Sequence, residues 1–506
     1  MKLKPTKEQE AVVSLAGSGE TMSIDARSGC AKTSSLQMVA DEVRYPTLYL
    51  AFNRTMADEA KSKFPEHVDV MTTHSLAYRN IGHKYRNKLQ RPRGPWRNLL
   101  GTGKEVAMHF KIGTFEVGDT LIHGSTAGYA VVNTVNNFEH SADAEISEKH
   151  VSTEELRRKG IDLKSSGVVE YLSAVLEDAR SLWELRKDLN NDALATHDTY
   201  LKLYQLSEPD LTDKYDVIML DESQDTNASV LDIFRKQDTQ RIAVGDSLQN
   251  IYSWRGARNA LSLLPWTKRE LTQSFRFGPE LAELARLMVL DEDWLPYIEL
   301  KGTDTLDTKV VDSSYDMEGP ITHIYRTNGA LLLAALKHIE DGKQVRMEVE
   351  TTNFKRKLFS AMALRQDRRG DIKHPDILLF ETWDEFVEDG EFRDPENRHI
   401  ANVINYGHFH RVVSLLEDYH PSPNPESIFI TAHKSKGLEW DNVVLGDDFR
   451  TVIRDDLGNY KYTNYGERNL LYVAVTRARK RLVPNADVRT LESLARNSMS
   501  VSSNAH

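Results

Sequence analysis

The sequence predicts an α/β fold of two parallel-sheet cores, each interrupted by an inserted segment. Three observations predict it. Short apolar, β-branched runs alternate with stretches of helical periodicity, the pattern of parallel α/β layers. That series breaks off twice, across residues 77–205 and about 336–425, where charged, helical-pattern sequence intervenes. At 506 residues the chain is long enough for three or four compact units with real cores.

In chain order, TMSIDA (21–26) reads as a buried strand, followed by KTSSLQMVADEV (32–43), which sets Leu36, Val39, Ala40 and Val43 on one helical face. TLYLAF (47–52), VDVMTT (68–73), YDVIML (215–220) and RIAVGD (241–246) read as further strands of the same core. A second series holds PITHIYRT (320–327), SIFITAH (427–433) and NVVLGD (442–447). The second interruption ends in HPSPNPES (420–427), whose three prolines bar helix and make a stiff connector. The polar stretch after about residue 490, ARNSMSVSSNAH, is expected to be a flexible tail.

Composition narrows the class. The chain is 40% hydrophobic and 28% charged, and no apolar run approaches the roughly 20 residues that span a bilayer. The N-terminal MKLKPTKEQEAVV lacks the apolar centre of a signal peptide, so an intracellular, cytoplasmic setting is expected. A single cysteine, Cys30, excludes an internal disulfide and a cysteine-rich zinc site. The 65 Lys and Arg against 76 Asp and Glu leave a net charge of −11, which argues against a protein that coats nucleic acid, though not against a local groove. Residues 78–97 carry seven Lys/Arg, no acid and three aromatics, and suit either a solvated basic surface or a backbone-tracking patch with stacking rings.

The chemistry concentrates in two places. ARSGCAKT (26–33) sits between a strand and a helix, as a phosphate-binding loop does: backbone N–H groups and the helix N-terminus meet phosphates, Lys32 neutralises charge and Thr33 binds Mg²⁺. Such loops usually carry more glycine. Here Gly29 stands alone, so the loop requires that Ala31 hold ordinary helical dihedrals and that Arg27 point outward. The second place is VIMLDESQDTN (217–227), where a buried strand ends in Asp221 and Glu222, one to hold Mg²⁺ and one to activate water. Together the two predict hydrolysis of a Mg-bound nucleoside triphosphate.

Nine strings occur in order: Q-x-A-V at Gln9, the loop itself, LAFNR, TTHS, LDESQDTN, VGDSLQNIYSWRGA, QSFRF, TAHKSKGLEW and LYVAVTRARKRL. In these the chain resembles superfamily 1 DNA helicases of the UvrD/Rep type, close in places to their F-box DNA helicase branch. The resemblance implies two RecA-like P-loop cores, with ATP and Mg²⁺ bound between them. It implies that Gln9 bonds the adenine and Phe275 stacks on it, while Arg27, Ser28, Gly29, Cys30, Ala31, Lys32, Thr33 and Ser34 form the phosphate loop. Asp221 would hold Mg²⁺ with Thr33, Glu222 would be the general base, and Gln249 would sense the γ-phosphate. Arg276 and Arg477 would be arginine fingers; Gly437 would lie near the γ-phosphate and Glu439 near the ribose.

The same resemblance puts Phe52 and Trp254 among the bases of a single strand, and Thr73, His74, Arg255 and Tyr252 along its backbone. Core packing is the plainer reading of Tyr252 and Phe52, and a satisfied structural histidine that of His74 and of His433. The expected units are 1–76 with 206–270, 271–335 with 426–489, the insertions 77–205 (within reach of DNA) and 336–425, and the tail 490–506. The implied activity is 3′→5′ movement on single-stranded DNA and unwinding at single-strand/duplex junctions, by a monomer, in repair, recombination or replication. A nucleotide-dependent binding protein with an impaired motor, and a motor acting on RNA, are the alternatives.

Overall fold

A computed structural model describes residues 4–89, 99–251, 260–315, 317–392 and 394–504. The strands are β1 (Met22–Ala26), β2 (Thr47–Ala51), β3 (Val68–Thr72), the hairpin β4 (Phe115–Val117) and β5 (Thr120–Ile122), β6 (Val217–Leu220), β7 (Gln240–Gly245) and β8 (Thr267–Leu271). They continue with β9 (Lys309–Val310), β10 (Ile321–Tyr325), β11 (Val345–Glu348), β12 (Ser427–Thr431) and β13 (Trp440–Leu445). The hairpin β14 (Val452–Arg454) and β15 (Tyr460–Tyr462) and then β16 (Ala478–Val483) complete the set.

Two six-stranded parallel sheets result, in the orders β3-β2-β6-β7-β1-β8 and β11-β12-β10-β13-β16-β9. This is the α/β architecture of paired RecA-like cores. The central strands are apolar along their length because helices cover both faces: every residue of β2, β6 and β12 is buried. Edge strand β8, TKREL, turns Lys268, Arg269 and Glu270 outward, charges that blunt an open edge.

One apolar core runs through both halves, from Ile24, Val39 and Val244 to Ile430, Leu445 and the buried run Leu470–Val475. That run belongs to helix Tyr465–Val475, wedged between the sheets. Within 77–205 a separate core gathers Val106, Val131, Phe138, Tyr171, Leu182 and Trp183 around helices Gly124–Glu139 and Val168–Lys187. The helices of 351–418 pack Phe354, Leu358, Phe386, Ile400 and Phe409 against Phe429 of β12. The two inserted regions touch: Lys159 Nζ lies 3.0 Å from Glu381 and 3.9 Å from Glu385, and the Arg158 guanidinium sits 5.9 Å from the Phe380 ring centre.

Two expectations need correction. The segment after residue 490 is no flexible tail, because Ala486–Asn504 is a helix whose Val488, Leu491 and Ala495 are buried on the common core, with Met499 packed beside them. Its spacing of three and four gives one apolar stripe, which the surrounding Ser and Asn obscure in the sequence. Residues 336–425 are not wholly an insertion either, since β11 lies inside them and pairs in parallel with β12 at the edge of the second sheet. The connector carries neither helix nor strand from Tyr419 to Glu426. Among the described residues, no helix is long and apolar enough to cross a membrane.

Candidate nucleotide cleft and nucleic-acid face

The loop after β1 enters helix Lys32–Val43 through two left-handed residues, Gly29 (φ 75°) and Ala31 (φ 55°). At Gly29 the conformation suits glycine, and contact demands it as well: a Cβ there would lie 2.4 Å from Ser274 Oγ and 2.8 Å from Arg276 Cβ. Ala31 does not hold the helical dihedrals expected of it, so its methyl is accommodated at a backbone cost of roughly 1 kcal/mol or more. Arg27 is likewise not turned outward. It is 6% exposed and binds Asp25 at 2.8 Å, Glu270 at 3.3 Å and Ser247 Oγ at 3.1 Å. Burial works against its charge, but Asp25 and Asp246 more than offset that, so it braces the loop from behind.

At the end of β6, Asp221 and Glu222 meet the loop. Lys32 Nζ lies 3.1 Å from Glu222 Oε1; burial pulls its pKa down, and Glu222, Asp246 and Asp221 together hold it above the ordinary lysine value. The carboxylates are driven apart. Burial and the neighbouring Glu222 raise Asp221, whereas Lys32 and Lys436 overcome the burial of Glu222 and lower it. Glu222 itself has a left-handed backbone (φ 50°). The Tyr49 hydroxyl donates to Asp221 and also meets Thr33, so the hydroxyl and the carboxylate expected to hold Mg²⁺ share one neighbour. Both are hard oxygen donors, and the surplus negative charge at this strand end suits a divalent cation.

The second core closes the other side. Phe275 N–H donates to Gly29 O at 2.9 Å. Arg276 reaches Ser28 Oγ at 3.0 Å and Glu439 at 2.7 Å, and Arg477 reaches the same Ser28 Oγ at 3.1 Å. Arg477 is 1% exposed, and its other hydrogen bonds go to Val473 O, Leu438 O and Thr476 Oγ1, all neutral acceptors. Burial, with Arg276 adding to it, pushes its pKa down to about 9. A buried guanidinium so placed wants an anion. Tyr472 OH accepts from Ser28 N–H at 3.3 Å, tying the wedged helix to the loop.

Gly29 through Ser34, Glu222, Gln249, Phe275, Arg276, Gly437, Glu439 and Arg477 line a cleft of about 720 Å³, with Ser28 and Asp221 buried behind its wall. The sequence reading missed Lys436, which crosses from the second core to bond Asp225 and, at 2.6 Å, Gln249 O. Both residues lie inside quoted strings, LDESQDTN and TAHKSKGLEW, where only flanking residues drew attention. Gln249 donates to Asp246 at 2.7 Å, which orients its amide. Gln9 is not in the cleft: it is 3% exposed, its amide oxygen accepts from Thr6 N–H at 3.0 Å and its nitrogen donates to Ser35 Oγ at 3.0 Å, in a helix-capping box.

Phe52 is 44% exposed at the rim of this cleft. Thr73 and His74 start helix Thr73–Asn80 directly after β3, away from the cleft, with Thr73 buried and His74 bonded to Asp198 at 3.1 Å. Tyr252, Trp254 and Arg255 fall outside the described residues. A second cavity of about 1160 Å³ opens beyond Ile251, bordered by Arg158, Arg326, Thr431, His433, Lys434 and Glu467, so that both inserted regions and both cores contribute to its neighbourhood.

The family model for the UvrD/REP helicase N-terminal domain matches residues 2–264. The chain belongs to the UvrD/REP helicase family. A second model, the UvrD-like helicase C-terminal domain, matches residues 427–483, the stretch of this helicase fold that carries Lys436, Gly437, Glu439 and Arg477. Among curated relatives, the F-box DNA helicase protein 1 of Schizosaccharomyces pombe is 29% identical over 527 aligned residues, covering 97% of this chain and 58% of its own length. The F-box DNA helicase 1 of Gallus gallus is 30% identical over 534 residues, covering 97% of this chain and 50% of its own. The chain thus spans about half the length of the curated relatives it matches.

Proposed function

We propose that this protein is an ATP-dependent DNA helicase and single-stranded DNA translocase, moving 3′→5′ and acting at single-strand/duplex junctions in repair, recombination or replication. The observation that carries this reading is the convergence of Arg276 and Arg477, from one core, on Ser28 in the phosphate loop of the other. Two guanidiniums aimed at a phosphate loop suit charge that develops on a transferring phosphoryl group.

In this reading the backbone from Ser28 to Thr33 cradles the phosphates and Lys32 leaves Glu222 for the β- and γ-phosphates. Phe275 stacks on the adenine, Glu439 exchanges Arg276 for the ribose, and Gln249 orients the attacking water. Glu222, which Lys436 still favours in its ionised form once Lys32 has moved, accepts the water's proton. Thr33 and Asp221 would hold Mg²⁺, which supplies charge neutralisation on the phosphate oxygens when bound. In this reading Phe52, Thr73, His74, Tyr252, Trp254 and Arg255 are the contacts of the single strand. Closing and reopening of the cleft moves one core against the other and advances the strand.

Tailed duplexes test the proposal. Duplexes with a 3′ single-stranded tail should be unwound with ATP, and those with a 5′ tail should not. Phosphate release should rise with single-stranded DNA and much less with RNA. Hydrolysis without unwinding of either duplex would favour the impaired motor; equal stimulation by RNA would favour an RNA-directed one.

A further inference from the structure

Arg27 stands where phosphate loops usually carry glycine, yet it does not line the cleft, to which the loop contributes Gly29 through Ser34. Its guanidinium lies behind the loop, among the C-terminal ends of β7, β1 and β8, neighbours in the first sheet. One terminal nitrogen donates to Asp25 Oδ2 at 2.8 Å and to Ser247 Oγ at 3.1 Å; the other donates to Glu270 Oε1 at 3.3 Å. Ser247 completes a ring, its N–H donating to Asp25 Oδ1 at 2.9 Å and its hydroxyl to Asp25 Oδ2 at 2.7 Å. The parallel register sets Asp25 beside Gly245 of β7 and Glu270 of β8, which brings the three partners to one end of the sheet.

Each of these strands leads into a different part of the cleft. Strand β1 runs into the phosphate loop. Past β7, Ser247 opens the short turn Ser247–Gln249, which delivers Gln249 to the cleft. Strand β8 continues into the segment that carries Phe275 and Arg276, where Phe275 N–H donates to Gly29 O at 2.9 Å. The loop backbone has its own ties: Arg27 N–H donates to Leu271 O at 2.9 Å, and Cys30 N–H to Arg27 O at 3.1 Å. Removing the guanidinium therefore frees the three segments from one another more than it unfolds the loop.

The arms of the guanidinium are unequal. Glu270 has a side chain 59% exposed, so water competes for that contact and it holds β8 weakly. The side chains of Arg27 and Asp25 are 7% and 24% exposed, which shields the arm that joins the loop to the Ser247 turn. Register between phosphate loop and sensor is thus the relation that depends most on Arg27.

We propose that Arg27 is a positioning residue for phosphoryl transfer, a clasp behind the loop that keeps Gln249, and more weakly Arg276, in register with the phosphate loop. This rests on the ATP-hydrolysis reading above and adds to it a residue outside the cleft. Gln249 and Arg276 act on the attacking water and on charge that forms in the transition state, whereas Lys32 and the loop backbone also hold the phosphates of the ground state. Loss of the clasp therefore lowers kcat and leaves KM for ATP near its wild-type value.

The test is steady-state phosphate release by the full chain with saturating oligothymidine and varied ATP, alongside thermal melting. Arg27→Met, similar in length but without donors, should lower kcat by about ten- to a hundredfold, the cost of misplacing reacting groups by about 1 Å. Its KM for ATP should stay within about threefold of wild type. Should Arg27→Met fail to fold, Arg27→Lys takes its place. A single ammonium keeps a cation beside Asp25 but cannot span all three partners, so kcat should fall by about tenfold while melting stays near wild type. Ser247→Ala cuts the sensor arm and should lower kcat too, and joined to Arg27→Lys it should cost little more, because both remove the same contact. Wild-type kcat in the Arg27 variants, with or without lower melting, or a rise in KM alone, overturns the clasp and leaves the ATP-hydrolysis reading standing. No ATP turnover by the wild-type chain overturns that reading and the clasp with it.

Discussion

Ala31 holds a left-handed backbone immediately before Lys32, where glycine would sit without strain. Ala31→Gly should raise the thermal midpoint, by up to about 1 kcal/mol of stability, and leave ATP turnover within a few-fold. Lys32→Ala should abolish turnover in a phosphate-release assay, since it removes the cation on which Glu222 now rests at 3.1 Å. Asp225 offers a pH readout. Burial lifts its carboxyl from 3.8 to about 6, with Lys436 pulling the other way. Its folded value exceeds the unfolded one, so the folded chain binds this proton more tightly and stability falls as pH rises from about 4 to about 6. Against Asp225→Asn, the wild-type denaturant midpoint should drop across that window by an amount on the order of 3 kcal/mol.

At the scale of elements, helix Ala486–Asn504 contributes Leu491 and Ala495, both fully buried, to the core common to both sheets. Ending the chain at Thr490 should cost about 3 kcal/mol and lower the melting temperature, because that surface loses its cover. This helix and strands β8, β9, β11 and β16 were the elements hardest to read. TKREL and ARKRLV put charges where buried parallel strands put Val and Ile, since each lies at or next to a sheet edge. The central strands β1, β2, β6, β7, β10, β12 and β13 were legible because burial of most of their residues leaves a short, largely apolar run in each. Around the cleft, Gly29 through Ser34, Glu222, Gln249, Phe275, Arg276, Gly437, Glu439 and Arg477 come together from recognisable strings, whereas Gln9 does not. The bracing role of Arg27, the left-handed Ala31 and the Lys436–Asp225 pair depend on approaches between distant segments, which no local pattern encodes.

For the molecule as a whole, Lys159 bridges the two inserted regions with a side chain only 9% exposed. Lys159→Glu would set like charges against Glu381 and Glu385, a contact costing about 2 kcal/mol or more. The regions should separate, seen as lower energy transfer between dyes placed on each, and Glu381→Lys in the same chain should restore the signal. The strand order carries a consequence for biosynthesis. Strand β1 pairs only with β7 and β8, which begin at residues 240 and 267. At a ribosomal pace of about 5–20 residues per second, β1 must wait roughly 10–40 s after its synthesis with both edges bare. A nascent chain of this topology is thus a natural client for chaperones that shield apolar segments during translation.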